Sequence, residues 1–256
     1  MKGRGGLLTS KRLLETAHRV LENAPVADIG TDHALLPCYL VANDFVPTAV
    51  AVEVNEGPYR MARRHVKKYG LGGRISVRHG DGLTVVKPGE VATVVVAGMG
   101  GALIADILSR GKDVLKQTKR LVLQPNSVAQ KVRRWMMDEG WQLTDEELVF
   151  ENGHFYDILV AEPGKPTLPY VDAHSDAPLS FLLEIGPLLW RRRHPLLRQK
   201  CEREIEKWER ILDQIPEGSE RRSEVENRIQ NWKELILCLP RANTSSASSN
   251  SSSRHI

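Results

Sequence analysis

The sequence has too few cysteines to indicate a metal site or a disulfide framework. It contains three, Cys38, Cys201 and Cys238, and no two of them have the Cys-x-x-Cys spacing of zinc or redox sites. The eight histidines show no metal-ligand spacing either. We therefore expect no metal and no disulfide framework, and a reducing compartment such as the cytoplasm fits best.

Long apolar runs are also missing. The longest uncharged stretch, 91–105, is interrupted by Gly98, Gly100 and Gly101, so it is too short and too rich in glycine to span a bilayer. The basic segment 1–12 has no apolar run behind it, so we expect that it is not a signal peptide. Aromatic residues make up only 5% of the chain, so aromatic stacking platforms are few.

Charge of one sign does not dominate the chain. The 36 basic and 32 acidic residues leave a net charge of +4, which favours acidic partners such as nucleic acid only weakly. The segments 1–170 and 171–256 are both nearly neutral, so a nucleic-acid surface has to be a local patch. The 256 residues, 41% of them hydrophobic, suffice for one large domain or two small ones.

Short apolar runs alternate with helical periodicity along the first part of the chain. This alternation predicts a parallel sheet with right-handed crossover helices, an α/β fold. The predicted strands are 26–29, 48–52, 74–79, 92–97 and 120–123, and the predicted helices are 13–21, 34–43, 56–69, 103–110 and 128–139.

The end of this α/β region and the rest of the chain have a different character. Two further strands, 143–150 and 154–161, flank Asn152-Gly153, a strong signal for an antiparallel hairpin. Beyond a Gly/Pro-rich break near 163–178, two heptad stripes predict a helical coiled-coil hairpin whose stripes include Trp208 and Trp232. We expect domains at 1–163 and 179–240, followed by a disordered, serine-rich tail at 241–256.

Acidic residues stand at the ends of the first three predicted strands. Asp28, followed by Gly30 and Asp32, ends the first strand, Glu53 ends the second, and Asp81-Gly82 follows the third. Ligands of open α/β sheets bind at the carboxyl ends of the strands. Taken singly, each position has an ordinary explanation: a helix cap at Asp28, a solvated carboxylate at Glu53 and a plain turn at Asp81.

The three acidic positions together favour one kind of cofactor. Asp28 or Asp32 can meet an ammonium or sulfonium charge, Glu53 can accept from ribose hydroxyls, and Asp81 can accept from an adenine amino group. A dinucleotide site requires Gly-x-Gly-x-x-Gly at the first turn, where this chain has one glycine and an acidic Asp32 that repels phosphate. The pattern fits S-adenosylmethionine (SAM) and fits NADP badly.

The fourth and fifth strands end in segments suited to a planar substrate. Three glycines in 98–101 leave the backbone bare around Met99, although a flexible loop with Met99 filling the core is the alternative. Gln124 and Asn126 follow the fifth strand and can read base edges, or Asn126 can cap the next helix. The basic residues cluster as Arg60, Arg63, Arg64, Lys67 and Lys68, as Lys131, Arg133 and Arg134, and as 191–193, which suits either solvated helix faces or phosphate binding.

Three strings of the sequence resemble those of the bacterial tRNA (adenine-22-N1)-methyltransferases, the TrmK family. They are DIGTDHALLP at 28–37, AGMGG at 97–101 and LVLQPN at 121–126, and with the helical hairpin the resemblance covers about 7–240. It implies a Rossmann-like class I SAM-dependent methyltransferase domain followed by a small coiled-coil domain. It also implies SAM as cofactor and tRNA as partner, and we expect a monomer.

The resemblance assigns roles to individual residues. Asp28, Gly30, Thr31 and Asp32 match the first SAM motif, in which Thr31 stands where serine is common but keeps the hydroxyl. Leu35 stands where the family commonly has tyrosine, so a role that rests on that ring is in doubt here. By the same resemblance, Glu53 matches the ribose-binding residue, Asp81 and Gly82 the adenine-binding pair, and Gly98–Gly101 the loop that faces the target base. From the residues themselves we expect Gly98 and Met99 to contact the cofactor, and the substrate to contact Gly100, Gly101, Gln124, Asn126, Arg63 and Arg64.

The chemistry implied is methyl transfer to the ring nitrogen of an adenine. That nitrogen has a free lone pair, so we expect positioning and desolvation to matter most. Asp32 is the candidate that stabilises the positive charge of the product, with His33 orienting it. Two alternatives stay open: a SAM-dependent methyltransferase of a small molecule or protein, and a non-catalytic RNA-binding module.

Overall fold

The fold is built on one mixed sheet of seven strands. The computed structural model describes residues 8–171 and 177–240, so the predicted tail at 241–256 lies outside the described residues. The strands are β1 (Val26–Ile29), β2 (Ala49–Glu53), β3 (Ile75–His79), β4 (Thr93–Gly100), β5 (Arg120–Ser127), β6 (Trp141–Glu151) and β7 (His154–Pro163).

Eleven α-helices are found in the described part of the chain, and none of them is long and apolar enough to cross a membrane. A short 3₁₀ helix, Gly82–Val85, follows β3. The α-helices are α1 (Lys11–Ala17), α2 (Leu35–Ala42), α3 (Glu56–Lys68), α4 (Gly101–Arg110), α5 (Lys112–Leu115), α6 (Ala129–Asp138), α7 (Leu168–Val171), α8 (Leu179–Ile185), α9 (Pro187–Arg191), α10 (Leu197–Leu212) and α11 (Glu220–Ile236).

The strand order is β3-β2-β1-β4-β5-β7-β6, and the first five strands in this order are parallel. The predicted parallel sheet is thereby confirmed, and the carboxyl ends of these five strands meet at one edge. β7 lies antiparallel to both β5 and β6. The turn between β6 and β7 uses Asn152 and Gly153 at φ 50° and 80°, the left-handed pair that the Asn-Gly signal predicts.

Both faces of the sheet are covered by helices, because both side-chain sets of the central strands are apolar. Val94 and Val96 of β4 face one core cluster, which α4 and α6 complete, whereas Val95 faces the other. That second cluster contains residues of α1, α2 and α3, among them Ala17 and Val66. This three-layer arrangement fixes the carboxyl edge of the sheet between the helix layers.

The chain divides into two compact units between His194 and Pro195, later than the break predicted near 163–178. The difference arises because α8 and α9 belong to the first unit, in which a buried arginine of α6 binds α8 and its ion-pair partner Glu146 binds α9. The Arg133 guanidinium donates to the carbonyl oxygens of Leu183 and Glu184 at 2.9 and 3.1 Å. The predicted second domain, 179–240, therefore begins inside the first unit.

Arg133 is also the centre of a buried ion network. Its Nε lies 2.7 Å from Glu146 Oε1 in β6, and its Nη2 lies 2.8 Å from Asp157 Oδ1 in β7. The other oxygen of Glu146 accepts from the backbone N–H groups of Leu188 and Leu189 in α9. The sequence places Arg133 in a basic cluster suited to solvent or phosphate, but its side chain is fully buried and neutralised.

The second unit contains a helical hairpin, as predicted. Arg198 of α10 donates to the Leu239 carbonyl, and Arg222 of α11 donates to the Leu212 carbonyl, so the two helices run antiparallel. Trp232 is buried, whereas Trp208 is half-buried with the Arg228 guanidinium 4.3 Å above its ring centroid. Supercoiling into a coiled coil stays a prediction.

Replacing Arg133 by Met is expected to destabilise the first unit by about 3–5 kcal/mol, because it leaves Glu146 and Asp157 buried without their cation. Arg134→Met is the matched control, since Arg134 is the next residue of α6 and is exposed. Urea unfolding followed by circular dichroism measures both variants. Equal losses of stability in the two variants would contradict a specific role for the Arg133 network.

Candidate functional site

Two carboxylates are buried where β1 and β2 end. Asp28 is the penultimate residue of β1 and Glu53 the last residue of β2, and each is only 5% exposed. The chain turns sharply after β1 because Gly30 has a φ of 70°. The backbone N–H groups of Gly30 and Thr31 both donate to the Val52 carbonyl, which fixes this turn against β2.

Asp28 is a buried acid with one hydrogen-bond donor. Its carboxylate accepts from the Thr31 hydroxyl at 2.6 Å and does not cap α2, whose N-cap residue Ala34 has no side-chain bond. Burial raises the pKa of Asp28 to about 6, the Thr31 hydrogen bond opposes this rise, and the nearby Glu53 charge adds to it. A positive charge placed beside Asp28 would stabilise its ionised form.

Glu53 is held in one orientation by the neighbouring backbone. Its Oε1 accepts from the backbone N–H of Asn55 at 2.9 Å and from the Asn55 side-chain amide at 3.2 Å. Its Oε2 accepts from the backbone N–H of Asp32 at 3.2 Å. Glu53 is therefore a fixed acceptor at the end of β2, not the solvated carboxylate that was the alternative.

Asp32 and His33 form an exposed pair on the same turn. Asp32 has a φ of 52°, its side chain is 72% exposed, and its Oδ1 lies 3.4 Å from His33 Nε2. The sequence gives no indication of a third member: the Nδ1 of His65 in α3 lies 2.9 Å from the His33 carbonyl oxygen, as a donor would. The ring of His65 also meets that of His33 edge-on at 5.5 Å.

Asp81 and Gly82 lie just beyond β3, as predicted. The Oδ2 of Asp81 is paired with Arg110 of α4, a partner that the sequence does not indicate. Gly82 has a φ of 58°, and a Cβ there would lie 3.1 Å from Ile107. Glycine at this position therefore fits both the backbone turn and the close packing of α4.

The segment that follows the β4 core is fixed by a closed ring of hydrogen bonds. The backbone N–H of Gly98 donates to Gln124 Oε1 at 3.1 Å, and Gln124 Nε2 donates to Asn126 Oδ1 at 3.1 Å. Asn126 Nδ2 then donates back to the Gly98 carbonyl at 2.7 Å. Gln124 is fully buried, so it positions Gly98 and does not offer an edge to a base as the sequence suggests.

We call Gly98–Gly101, the end of β4 and the first residue of α4, the glycine loop, and its residues other than Gly98 pack closely against their neighbours. The Met99 methyl carbon would lie 1.9 Å from a Cβ at Gly30, so Met99 occupies the space that this glycine leaves. A Cβ at Gly101 would lie 2.4 Å from the Val128 carbonyl oxygen, so α4 begins directly against the backbone after β5. Gly100 precedes α4 as its N-cap residue and is half-buried.

Arg63 and Arg64 lie on the exposed face of α3 and make only local contacts. The Arg63 guanidinium stands 5.8 Å from the Tyr59 ring centroid, and Arg64 reaches the sulfur of Met61. The structure thus brings Asp28, Glu53 and Asp32 together, whereas the contacts that it shows for these two arginines are with residues of α3 itself. Their assignment to tRNA stays a prediction.

The chemistry of the edge suits a cationic nucleoside cofactor better than a metal or a dinucleotide. Asp28 offers a buried negative charge, Glu53 offers fixed acceptor oxygens, and the exposed Gly98 allows a ligand to approach the backbone. Within residues 8–171 and 177–240, no group of three or more His, Cys, Asp or Glu side chains is arranged to hold a metal ion.

Comparison with known proteins identifies a family that spans both units. The model of the tRNA (adenine(22)-N(1))-methyltransferase family matches residues 26–234. The tRNA (adenine(22)-N(1))-methyltransferase of Bacillus subtilis (strain 168) is 41% identical over 236 residues, which are 90% of this chain and 98% of that protein.

Solved structures agree with the sequence comparison. The crystal structure of the B. subtilis m1A22 tRNA methyltransferase TrmK matches with a TM-score of 0.83 and 40% identity, covering 90% of this chain and 99% of that one. Streptococcus pneumoniae Sp1610 in complex with S-adenosyl-L-methionine matches with a TM-score of 0.79 and 36% identity, covering 90% of this chain and 100% of that one. M. capricolum TrmK in complex with S-adenosyl-homocysteine matches with a TM-score of 0.75 and 27% identity, covering 90% of this chain and 99% of that one. The chain belongs to the tRNA (adenine(22)-N(1))-methyltransferase family.

Proposed function

We propose that this chain transfers a methyl group from SAM to N1 of adenine 22 in tRNA. The observation that carries the proposal is the pair of buried carboxylates, Asp28 and Glu53, beside a glycine loop whose backbone is fixed at Gly98. Family membership supplies the substrate and the position that is methylated. We also propose that the enzyme acts in the cytoplasm, where its tRNA substrate is found, and that it acts as a monomer.

The cofactor side of the site is formed by the ends of β1, β2 and β3. When bound, SAM supplies an electrophilic methyl group on a sulfonium cation. Asp28 compensates positive charge, Glu53 accepts from ribose hydroxyls with the lone pairs that Asn55 and Asp32 leave free, and Gly82 allows close approach. Asp81 would accept from an adenine amino group through Oδ1, because Arg110 engages Oδ2.

The acceptor side lies at the ends of β4 and β5. The N1 lone pair of adenine is free, so no side chain has to remove a proton before the methyl group is transferred. The Gly98–Gly100 backbone would receive the planar base beside the exposed Asn126, whereas the buried Gly101, which the sequence also assigned to the base, packs against the Val128 carbonyl instead. A base whose Watson–Crick edge is paired has to be rotated out first, at a cost of a few kcal/mol.

Asp32 is the proposed catalytic residue, with His33 as its orienting partner. Methylation of N1 leaves a positive charge on the base, and the Asp32 carboxylate compensates this charge as it develops. Arg63 and Arg64, together with the hairpin of α10 and α11, are proposed to bind tRNA phosphates. A methyltransferase of small molecules or proteins would act without RNA, and a non-catalytic RNA-binding module would give no heat with SAM in calorimetry.

Binding of SAM is expected to strengthen about tenfold between pH 5 and pH 7. Below about pH 6 the Asp28 carboxyl is neutral, and above it the ionised form offsets the cofactor's positive charge. Isothermal titration calorimetry across this range measures the change, with proton release at low pH. Asp28→Asn should remove the pH dependence, whereas Thr31→Val should move its midpoint upwards, since Thr31 stabilises the ionised carboxylate. A pH-independent affinity in the unmodified protein would contradict this role of Asp28.

Mass spectrometry of unmodified tRNA treated with the enzyme and SAM is expected to find one methyl group on N1 of adenine 22. A tRNA with guanosine at position 22 should stay unmethylated. Methylation elsewhere, or none, would refute the proposed function.

Replacing Asp32 by Asn is expected to lower kcat roughly tenfold or more, while the SAM dissociation constant changes less than twofold. Asp44→Asn is the matched control. Like Asp32, Asp44 has a left-handed backbone conformation and an exposed side chain, but it precedes β2 at the opposite edge of the sheet. Single-turnover kinetics and calorimetry separate the two effects. Equal losses of turnover and SAM affinity would make Asp32 a binding residue instead.

A further inference from the structure

Arg12 of α1 lies beside the glycine loop, although it is 112 residues distant from Gln124 in sequence. Its Nη1 donates to Gln124 Oε1, the atom that also accepts from the Gly98 N–H. A Cβ at Gly98 would lie 3.6 Å from the same nitrogen. The guanidinium therefore stands directly against the loop that is proposed to receive the target base.

The partners of Arg12 are neutral. Besides Gln124, it contacts the Tyr156 ring, whose centroid lies 5.2 Å from the guanidinium carbon. No carboxylate pairs with it among the residues that the structure describes. The half-buried guanidinium is thus a cation without a counter-ion, and several of its five N–H donors are left for a ligand.

Nearby arginines and carboxylates are arranged differently. Arg19 pairs with three carboxylates and Arg120 pairs with Glu162, so each of these cations is neutralised within the protein. Glu151, the acid close to Arg12 in space, accepts instead from the Ser10 hydroxyl and the Lys11 N–H. Glu151 therefore forms no ion pair with Arg12, and the Arg12 guanidinium keeps N–H donors that an external anion can use.

We propose that Arg12, supported by the Tyr156 ring, binds a backbone phosphate of the tRNA next to the target adenine. The inference rests on the proposed function, which places an RNA base at Gly98. A guanidinium fork matches the geometry of a phosphate, and the aromatic face limits the orientations of the side chain. The hydrogen bond to Gln124 fixes the distance between this phosphate contact and the loop.

The test is the salt dependence of tRNA binding in Arg12→Gln, measured at several KCl concentrations. Loss of one phosphate contact should weaken binding roughly tenfold at low salt and reduce the slope of log K against log[salt] by about 0.7–0.9. Arg12→Lys keeps the charge and should keep the slope. Lys116→Gln removes a charge at the opposite edge of the sheet and should leave the slope unchanged.

Two results would overturn the proposal. One is an unchanged slope in a folded Arg12→Gln variant; the other is a loss of SAM affinity as large as the loss of tRNA affinity, which would make Arg12 a support of the loop alone. Ethylation interference on the unmodified protein is independent of any variant: ethylation of a phosphate flanking adenine 22 should weaken binding, and its failure to do so refutes the contact. If the unmodified enzyme methylates adenine 22 in the same preparations, the proposed function stands even when the Arg12 proposal fails.

Discussion

The buried guanidinium of Arg133 joins the layers of the first unit at one point. It binds carboxylates of β6 and β7 and the last carbonyl groups of α8, and Glu146 in turn binds the start of α9. α6, which carries Arg133, follows β5 almost directly. Its position therefore determines where the chain after Asn126 turns and how closely α4 can approach.

That turn and its neighbours at the carboxyl edge include strained backbone positions. Asp32, Ala34 and Val128 are non-glycine residues with φ between 52° and 54°. Each such residue costs of order 1–3 kcal/mol, and a β-branched residue such as Val128 is especially unfavourable there. The surrounding packing holds these residues in place, with Gly101 packed against the carbonyl of Val128. A rigid edge of this kind suits a reaction in which the enzyme mainly positions two reactants.

Local patterns in the sequence predict most of the fold and the positions of two carboxylates at the strand ends. Strand and helix alternation, the Asn152-Gly153 turn and the acidic strand ends are encoded within a few residues, so the sheet, the hairpin, Asp28 and Glu53 follow from them. Arg133 could not be placed, because its burial depends on carboxylates 13 and 24 residues further along the chain. The domain break was misplaced for the same reason, since the Gly/Pro-rich segment marks a loop but not the packing of α8 and α9.

Long-range contacts also decide what the polar residues of the site do. Gln124 looks like a base reader in the sequence, yet it is buried between two donors, Arg12 and the Gly98 N–H, which fix its amide orientation. The two sides of this edge of the sheet consequently carry charges of opposite sign. The cofactor side presents carboxylates at the ends of β1 and β2, where a sulfonium is attracted and a phosphate is repelled. The acceptor side presents Arg12, whose uncompensated charge attracts the polyanionic backbone of the RNA. One edge can thus bind a cationic and an anionic reactant next to each other without either one entering the other's site.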